Sequence, residues 1–127
     1  NLNLFNNSSS EVIVFTKVKH ENLPSHVTLI TPKEFSIKEI LSEIAKLGIQ
    51  SIYVEGGPSI HDQFLASGYW DEVITYISPI LLGGNNTSSF TSNRITSEKI
   101  QLNNTKITKL GEDIRISGRR VSQCLQD

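Results

Sequence analysis

The sequence predicts an α/β domain that ends in an antiparallel strand pair, and three observations carry this expectation. Short runs rich in β-branched residues recur along the 127-residue chain, and two stretches between them place apolar residues at helical spacing. The last two strand-like runs are separated only by Gly111-Glu112, as in a hairpin. With 37% hydrophobic and 20% charged residues, the composition is that of one globular domain around one core.

Glu11 to Thr16 is apolar on both parities, which reads as an interior strand covered on both faces. A second strand is predicted from His26 to Ile30, stopped by Thr31-Pro32, because proline steers the preceding residue away from helical geometry. A helix follows. Ser36 as N-cap with Glu39 three residues later forms a capping box, and Ile37, Ile40, Leu41, Ile44, Ala45 and Leu47 share one stripe that Gly48 ends. Loss of the cap should cost about 1 kcal/mol, against roughly 2 to 5 kcal/mol for alanine at a buried Leu41, so packing is expected to dominate.

Ser51 to Val54 reads as a short apolar strand that stops at Glu55-Gly56-Gly57-Pro58. Ile60, Phe64 and Leu65 then fall at helical spacing as far as Gly68. Glu72 to Ser78 is the next strand, closed by Pro79, with Ile80-Leu81-Leu82 leading into Gly83-Gly84. Strand, helix and strand make a βαβ unit, with the two strands parallel or near neighbours. Asn85 to Asn104 is mostly polar, with Phe90, Ile95 and Ile100 as anchors, and is expected to be a surface loop. Lys106 to Leu110 and Asp113 to Ser117 form the terminal hairpin, and residues 118–127 a polar tail. No repeat or linker composition marks an internal boundary.

Charge narrows the function classes. Twelve Lys and Arg against thirteen Asp and Glu leave a net charge of -1, so no overall positive field draws the chain to nucleic acid or an anionic membrane. The longest apolar runs are a handful of residues, far from the roughly 20 that cross a bilayer. The start does not read as a signal peptide, and a cytoplasmic location is expected. The single Cys124 excludes an internal disulfide and a multi-thiolate metal site. Asn6-Asn7-Ser8, Asn85-Asn86-Thr87 and Asn103-Asn104-Thr105 spell glycosylation acceptors but are read as loops.

The chemistry is expected at Val54-Glu55-Gly56-Gly57-Pro58-Ser59-Ile60-His61. Two glycines permit a sharp turn and close approach of a ligand, and Pro58 suits the first helical position. The helix then opens with N–H groups, from Ser59 onward, that favour a phosphate. A tight connection between strand and helix explains the same glycines equally well. The pattern is neither G-x-G-x-x-G nor a P-loop. Glu55 is placed to accept hydrogen bonds from a polar ligand, or is a solvated strand end. His61, on the first helical turn, is placed to donate to a phosphate, or is simply exposed. His20 and His26 belong to a polar loop, and Asp71 and Glu72 to a solvated turn, since adjacent carboxylates point different ways.

These residues also carry a family resemblance. Val54-Glu55-Gly56-Gly57-Pro58-Ser59-Ile60, Leu65-Ala66-Ser67-Gly68-Tyr69-Trp70-Asp71-Glu72, Ile77-Ser78-Pro79-Ile80-Leu81-Leu82-Gly83-Gly84 and Leu110-Gly111-Glu112-Asp113-Ile114 occur in the right order at family-like spacing. Together they resemble the reductase domain of bacterial riboflavin biosynthesis deaminase-reductases, over about residues 1–117. Dihydrofolate reductases share the glycine turn but do not usually flank it with Glu and Pro, so Glu55 favours the riboflavin enzyme.

The resemblance implies a three-layer, dihydrofolate-reductase-like mixed sheet with flanking helices. It implies NADPH as cofactor, a phosphoribosylaminopyrimidine as substrate, and hydride transfer to the ribosyl imine carbon, with no metal. Glu55 would contact the substrate, while Gly56, Gly57, Pro58, Ser59, Ile60, His61, Asp62 and Gln63 would line the cofactor phosphates. A homodimer through this domain is implied as well. Family members have a longer reductase domain, so residues 1–117 are expected to be its C-terminal portion, lacking the first strands, and the chain alone to be inactive. A non-catalytic assembly module, or a pterin reductase of the same fold, are the alternative readings.

Overall fold

The computed structural model describes Phe5, residues 9–81 and residues 100–121. Leu82-Gly83-Gly84, the segment from Asn85 to 99 with Phe90 and Ile95, the acceptor at Asn6, and Cys124 in the tail lie outside the described residues. Element order is β1 (Val12–Phe15), β2 (Val27–Ile30), α1 (Ile37–Lys46), α2 (Pro58–Ser67), β3 (Glu72–Ile77), β4 (Leu102–Leu110) and β5 (Asp113–Arg120). The chain falls into two compact units, residues 1–53 and 54–127, where the composition predicted one domain with no internal boundary. Each unit carries its own sheet, and composition does not reveal how strands choose partners.

In the first unit β1 and β2 pair in parallel, Val12 opposite Val27 through Phe15 opposite Ile30. Backbone bonds from the Val12 N–H to the His26 carbonyl (2.9 Å) and from the Thr16 N–H to the Ile30 carbonyl (3.0 Å) continue the ladder at both ends. Both predicted strands are present, but β1 is not interior: among the described residues it has one neighbour. Val12 is the buried hydrophobic residue of the described core, and Ile13 to Phe15 are half-buried.

α1 forms where the capping pattern places it. Ser36 has extended geometry and its Oγ accepts the Glu39 N–H at 3.3 Å. Gly48 follows the helix at φ +78, a left-handed position that glycine takes without strain, and its N–H donates to the Ala45 carbonyl at 3.0 Å. Glu43 bonds Lys46 one turn later at 2.6 Å, which raises the lysine above its ordinary pKa. None of the residues in α1 is fully buried. Leu41 therefore falls short of the burial that would make packing dominant, and the cap becomes a comparable term.

The end of the first unit and the whole of the second depart most from expectation. Residues 51–57 are not a strand: among the described residues they have no ladder partner, and Ile52 and Tyr53 are 42% and 67% exposed. The βαβ unit is therefore not formed. β3 instead pairs antiparallel with β5, Glu72 opposite Arg119 through Ile77 opposite Ile114, in a sheet ordered β3-β5-β4. The hairpin is present and longer than predicted. Gly111, at φ +61, turns it between Leu110 and Asp113, an arrangement suited to glycine at the first turn position.

β4 starts at Leu102, inside the stretch read as loop. Asn103-Asn104-Thr105 is accommodated by a register shift between Asn103 and Lys106, with Asn104 left-handed at φ 51. β5 runs through Arg120 and so takes in the first residues of the predicted tail. The register puts Val73, Thr75, Ile77, Ile107, Ile114 and Ile116 on one face. Substituting Ser36 by alanine should lower the unfolding free energy by about 1 kcal/mol. Urea denaturation checks this, and an unchanged midpoint would mean that the cap carries nothing.

Candidate functional site

α2 starts where proline allows it to start. Pro58 occupies the first helical position, and Gly57 before it is the N-cap at φ -71, ψ 172. The Gly57 carbonyl accepts the N–H groups of Ile60 at 3.0 Å and His61 at 3.3 Å. This narrows the predicted row of open amides. Pro58 has none, Ile60 and His61 spend theirs on Gly57, and among the described residues the N–H groups of Gly57 and Ser59 have no acceptor.

The two glycines differ in what requires them. A Cβ on Gly56 would stand 2.9 Å from the Ile60 Cβ, so the close fold of the turn onto the helix demands glycine there. A Cβ on Gly57 would meet nothing within 4 Å, and its φ is open to any residue. Serine, aspartate or asparagine at that position would supply the missing side-chain cap, a gain of about a few tenths of a kcal/mol over glycine. Gly57 is thus required neither by its backbone angles nor by crowding at its Cβ, and it stands at an N-cap, where glycine is itself a common residue.

The other predicted residues are placed unevenly. Glu55 is exposed beside the turn. Ser59 and Gln63 form one exposed pair, with the Gln63 amide nitrogen donating to the Ser59 Oγ at 3.4 Å. Ile60 is 43% exposed. Asp62 is buried, so its carboxylate does not present itself on the open side of the turn. His61 is half-buried and directed backwards, its Nε2 accepting the Gly56 N–H at 3.3 Å. That nitrogen is consequently not aimed outward as a phosphate donor.

Sequence reasoning missed Arg120, which it left in a tail. The Arg120 guanidinium donates to the Gly68 carbonyl, and its backbone N–H donates to the Asp71 carbonyl at 3.0 Å. Gly68 closes α2 in left-handed geometry at φ 72, with the Arg120 guanidinium where a Cβ would need room. A cation at the negative end of the helix is favourable, and this one ties α2 to the end of β5. Its signal in the sequence was weak: an arginine after a strand has no partner until the register is known.

The turn thus presents two backbone N–H groups, of Gly57 and Ser59, at the positive end of a helix, with the exposed Glu55 carboxylate beside it. Nothing among the described residues forms a helix long and apolar enough to cross a membrane. Residues 1–116 match the family described as the RibD C-terminal domain. The riboflavin biosynthesis protein RibD of Bacillus amyloliquefaciens is 40% identical over 84 residues, 64% of this chain and 23% of that protein. That of Aquifex aeolicus is 29% identical over 121 residues, 92% of this chain and 34% of that protein.

A solved structure from Thermotoga maritima is described as a diaminohydroxyphosphoribosylaminopyrimidine deaminase/5-amino-6-(5-phosphoribosylamino)uracil reductase. It superposes with a TM-score of 0.67 at 24% identity, over 87% of this chain and 31% of that one, and shows the shared fold. The chain spans 23% to 34% of the length of these relatives.

Proposed function

The chain belongs to the RibD C-terminal domain family, and from that premise we propose that it is part of an NADPH-dependent 5-amino-6-(5-phosphoribosylamino)uracil reductase of riboflavin biosynthesis, working in the cytoplasm. The observation that carries the cofactor assignment is Gly57. A glycine with ordinary backbone angles, no side-chain cap and nothing within 4 Å of its Cβ direction leaves room for a ligand to come close to the backbone.

The N–H groups of Gly57 and Ser59, at the positive end of α2, suit the phosphates of a dinucleotide. Pro58, Ile60 and Gln63 border that position, and Gly56 lets the turn fold tightly enough to present it. Bound there, the nicotinamide would supply a hydride to the imine carbon of the opened ribosyl group, the nitrogen taking the electron pair of the C=N bond and a proton. The chain's own part is to bind and orient, which holds the two reactants in register. Glu55 is proposed to accept hydrogen bonds from the pyrimidine or ribose phosphate substrate.

Calorimetric titration with NADPH tests this reading. Gly57→Val should weaken binding by about tenfold or more, the size of a lost charge-assisted hydrogen bond, in a variant whose thermal midpoint, lowered by valine at an N-cap, still leaves it folded at the temperature of the titration. Equal affinities would remove the turn from the cofactor site. Glu55→Gln should lower kcat/KM for the pyrimidine substrate and leave the KM for NADPH unaltered, and unchanged substrate kinetics would refute its role.

Association is the second part of the proposal. Ile77, Ile107 and Ile114 share one face of the sheet and are 46%, 69% and 40% exposed. A second copy of the chain, covering this face with its own, would remove that surface from water. Sedimentation should show a dimer that Ile107→Lys dissociates, and a monomeric unchanged protein would contradict it.

A further inference from the structure

The geometry points to a role for His61 that differs from contact with a phosphate: we propose that its neutral imidazole is a latch, a positioning residue that holds the Gly56-Gly57 turn in its binding shape. The inference rests on the cofactor reading above and concerns how that site is kept ready. Nε2 accepts the Gly56 N–H at 3.3 Å, from a residue five positions further along and already in the first turn of the helix. A ring nitrogen that accepts a hydrogen bond carries no proton, so the imidazole is neutral with its proton on Nδ1.

Two successive glycines have more backbone freedom than any other pair, and ordering them costs conformational entropy. Ile60 restrains Gly56 from one side, because the turn lies against its side chain. The His61 ring restrains it from the other by fixing the direction of its N–H. With Gly56 held, the peptide that carries the Gly57 N–H is aimed before a ligand arrives, and preorganisation of this kind strengthens binding without any contact of its own. Gly57, with nothing within 4 Å of its Cβ direction, is the residue that benefits.

The latch and the phosphate-donor role call for opposite chemistry. A latch needs an uncharged acceptor, which glutamine can supply near the position of Nε2. A phosphate contact needs a donor, which lysine supplies better. The experiment uses ¹⁵N-labelled chain, in which the scalar coupling through the hydrogen bond between the Gly56 amide nitrogen and the His61 Nε2 is measured. NADPH is then titrated into the unchanged protein, His61→Gln and His61→Lys. The coupling should be present, with the ring proton on Nδ1.

His61→Gln should bind within about twofold of the unchanged protein, and His61→Lys about three- to tenfold more weakly, the effect of one neutral hydrogen bond. The amide dispersion of β3, β4 and β5 reports folding of each variant. Where the lysine variant does not fold, His61→Ala should show the same loss. Absence of the coupling overturns the latch whatever the chain binds, and so does a lysine variant that binds as well as the glutamine variant. A coupling that is present in a chain that does not bind NADPH upholds the latch and overturns the cofactor reading instead.

Discussion

The amides of Gly57 and Ser59, unpaired among the described residues, are the constraint on which the proposed site depends. A helix start has more donors than its own backbone can satisfy, and a side-chain cap is the common remedy, as Ser36 shows on α1. At α2 the chain does otherwise. Glycine caps without a side chain, its carbonyl accepts from Ile60 and His61, and the N–H groups of Gly57 and Ser59 are left without an acceptor among the described residues. Pro58 reinforces the arrangement by starting the helix without a donor to satisfy.

The opposite end of α2 shows how that geometry is held. Gly68 turns the chain in left-handed geometry, and Arg120, fifty-two residues later, donates to its carbonyl. The tie runs to β5, the central strand of its sheet, which is hydrogen-bonded on both edges. A helix with only one fully buried residue, Asp62, gains little from packing, so a polar tie at one end and a proline start at the other carry much of its placement.

Local chemistry was legible in the sequence and long-range choice was not. Ser36 with Glu39, Gly48, the Pro58 start, Gly68 and the Gly111-Glu112 turn announce themselves, because each acts within a few residues of its own position. Ser51 to Val54 has the composition of a strand, yet a strand exists only where a partner offers its ladder, and apolar content does not name the partner. The same limit hid the pairing of β3 with β5 and the reach of β4 through Asn104, whose left-handed backbone absorbs a register shift. At the candidate site, the glycine turn and the helix start at Pro58 could be read. The backward direction of His61 could not, since it depends on how closely Gly56 folds onto the helix, and neither could the part played by Arg120.

The measurement that bears most directly on the account is an amide-resolved titration of the labelled chain with NADPH. The Gly57 and Ser59 resonances should move first and furthest, with those of Ile60 and His61 following less because their N–H groups are already bonded to Gly57. Saturable binding that leaves Gly57 and Ser59 in place while amides elsewhere shift would contradict it.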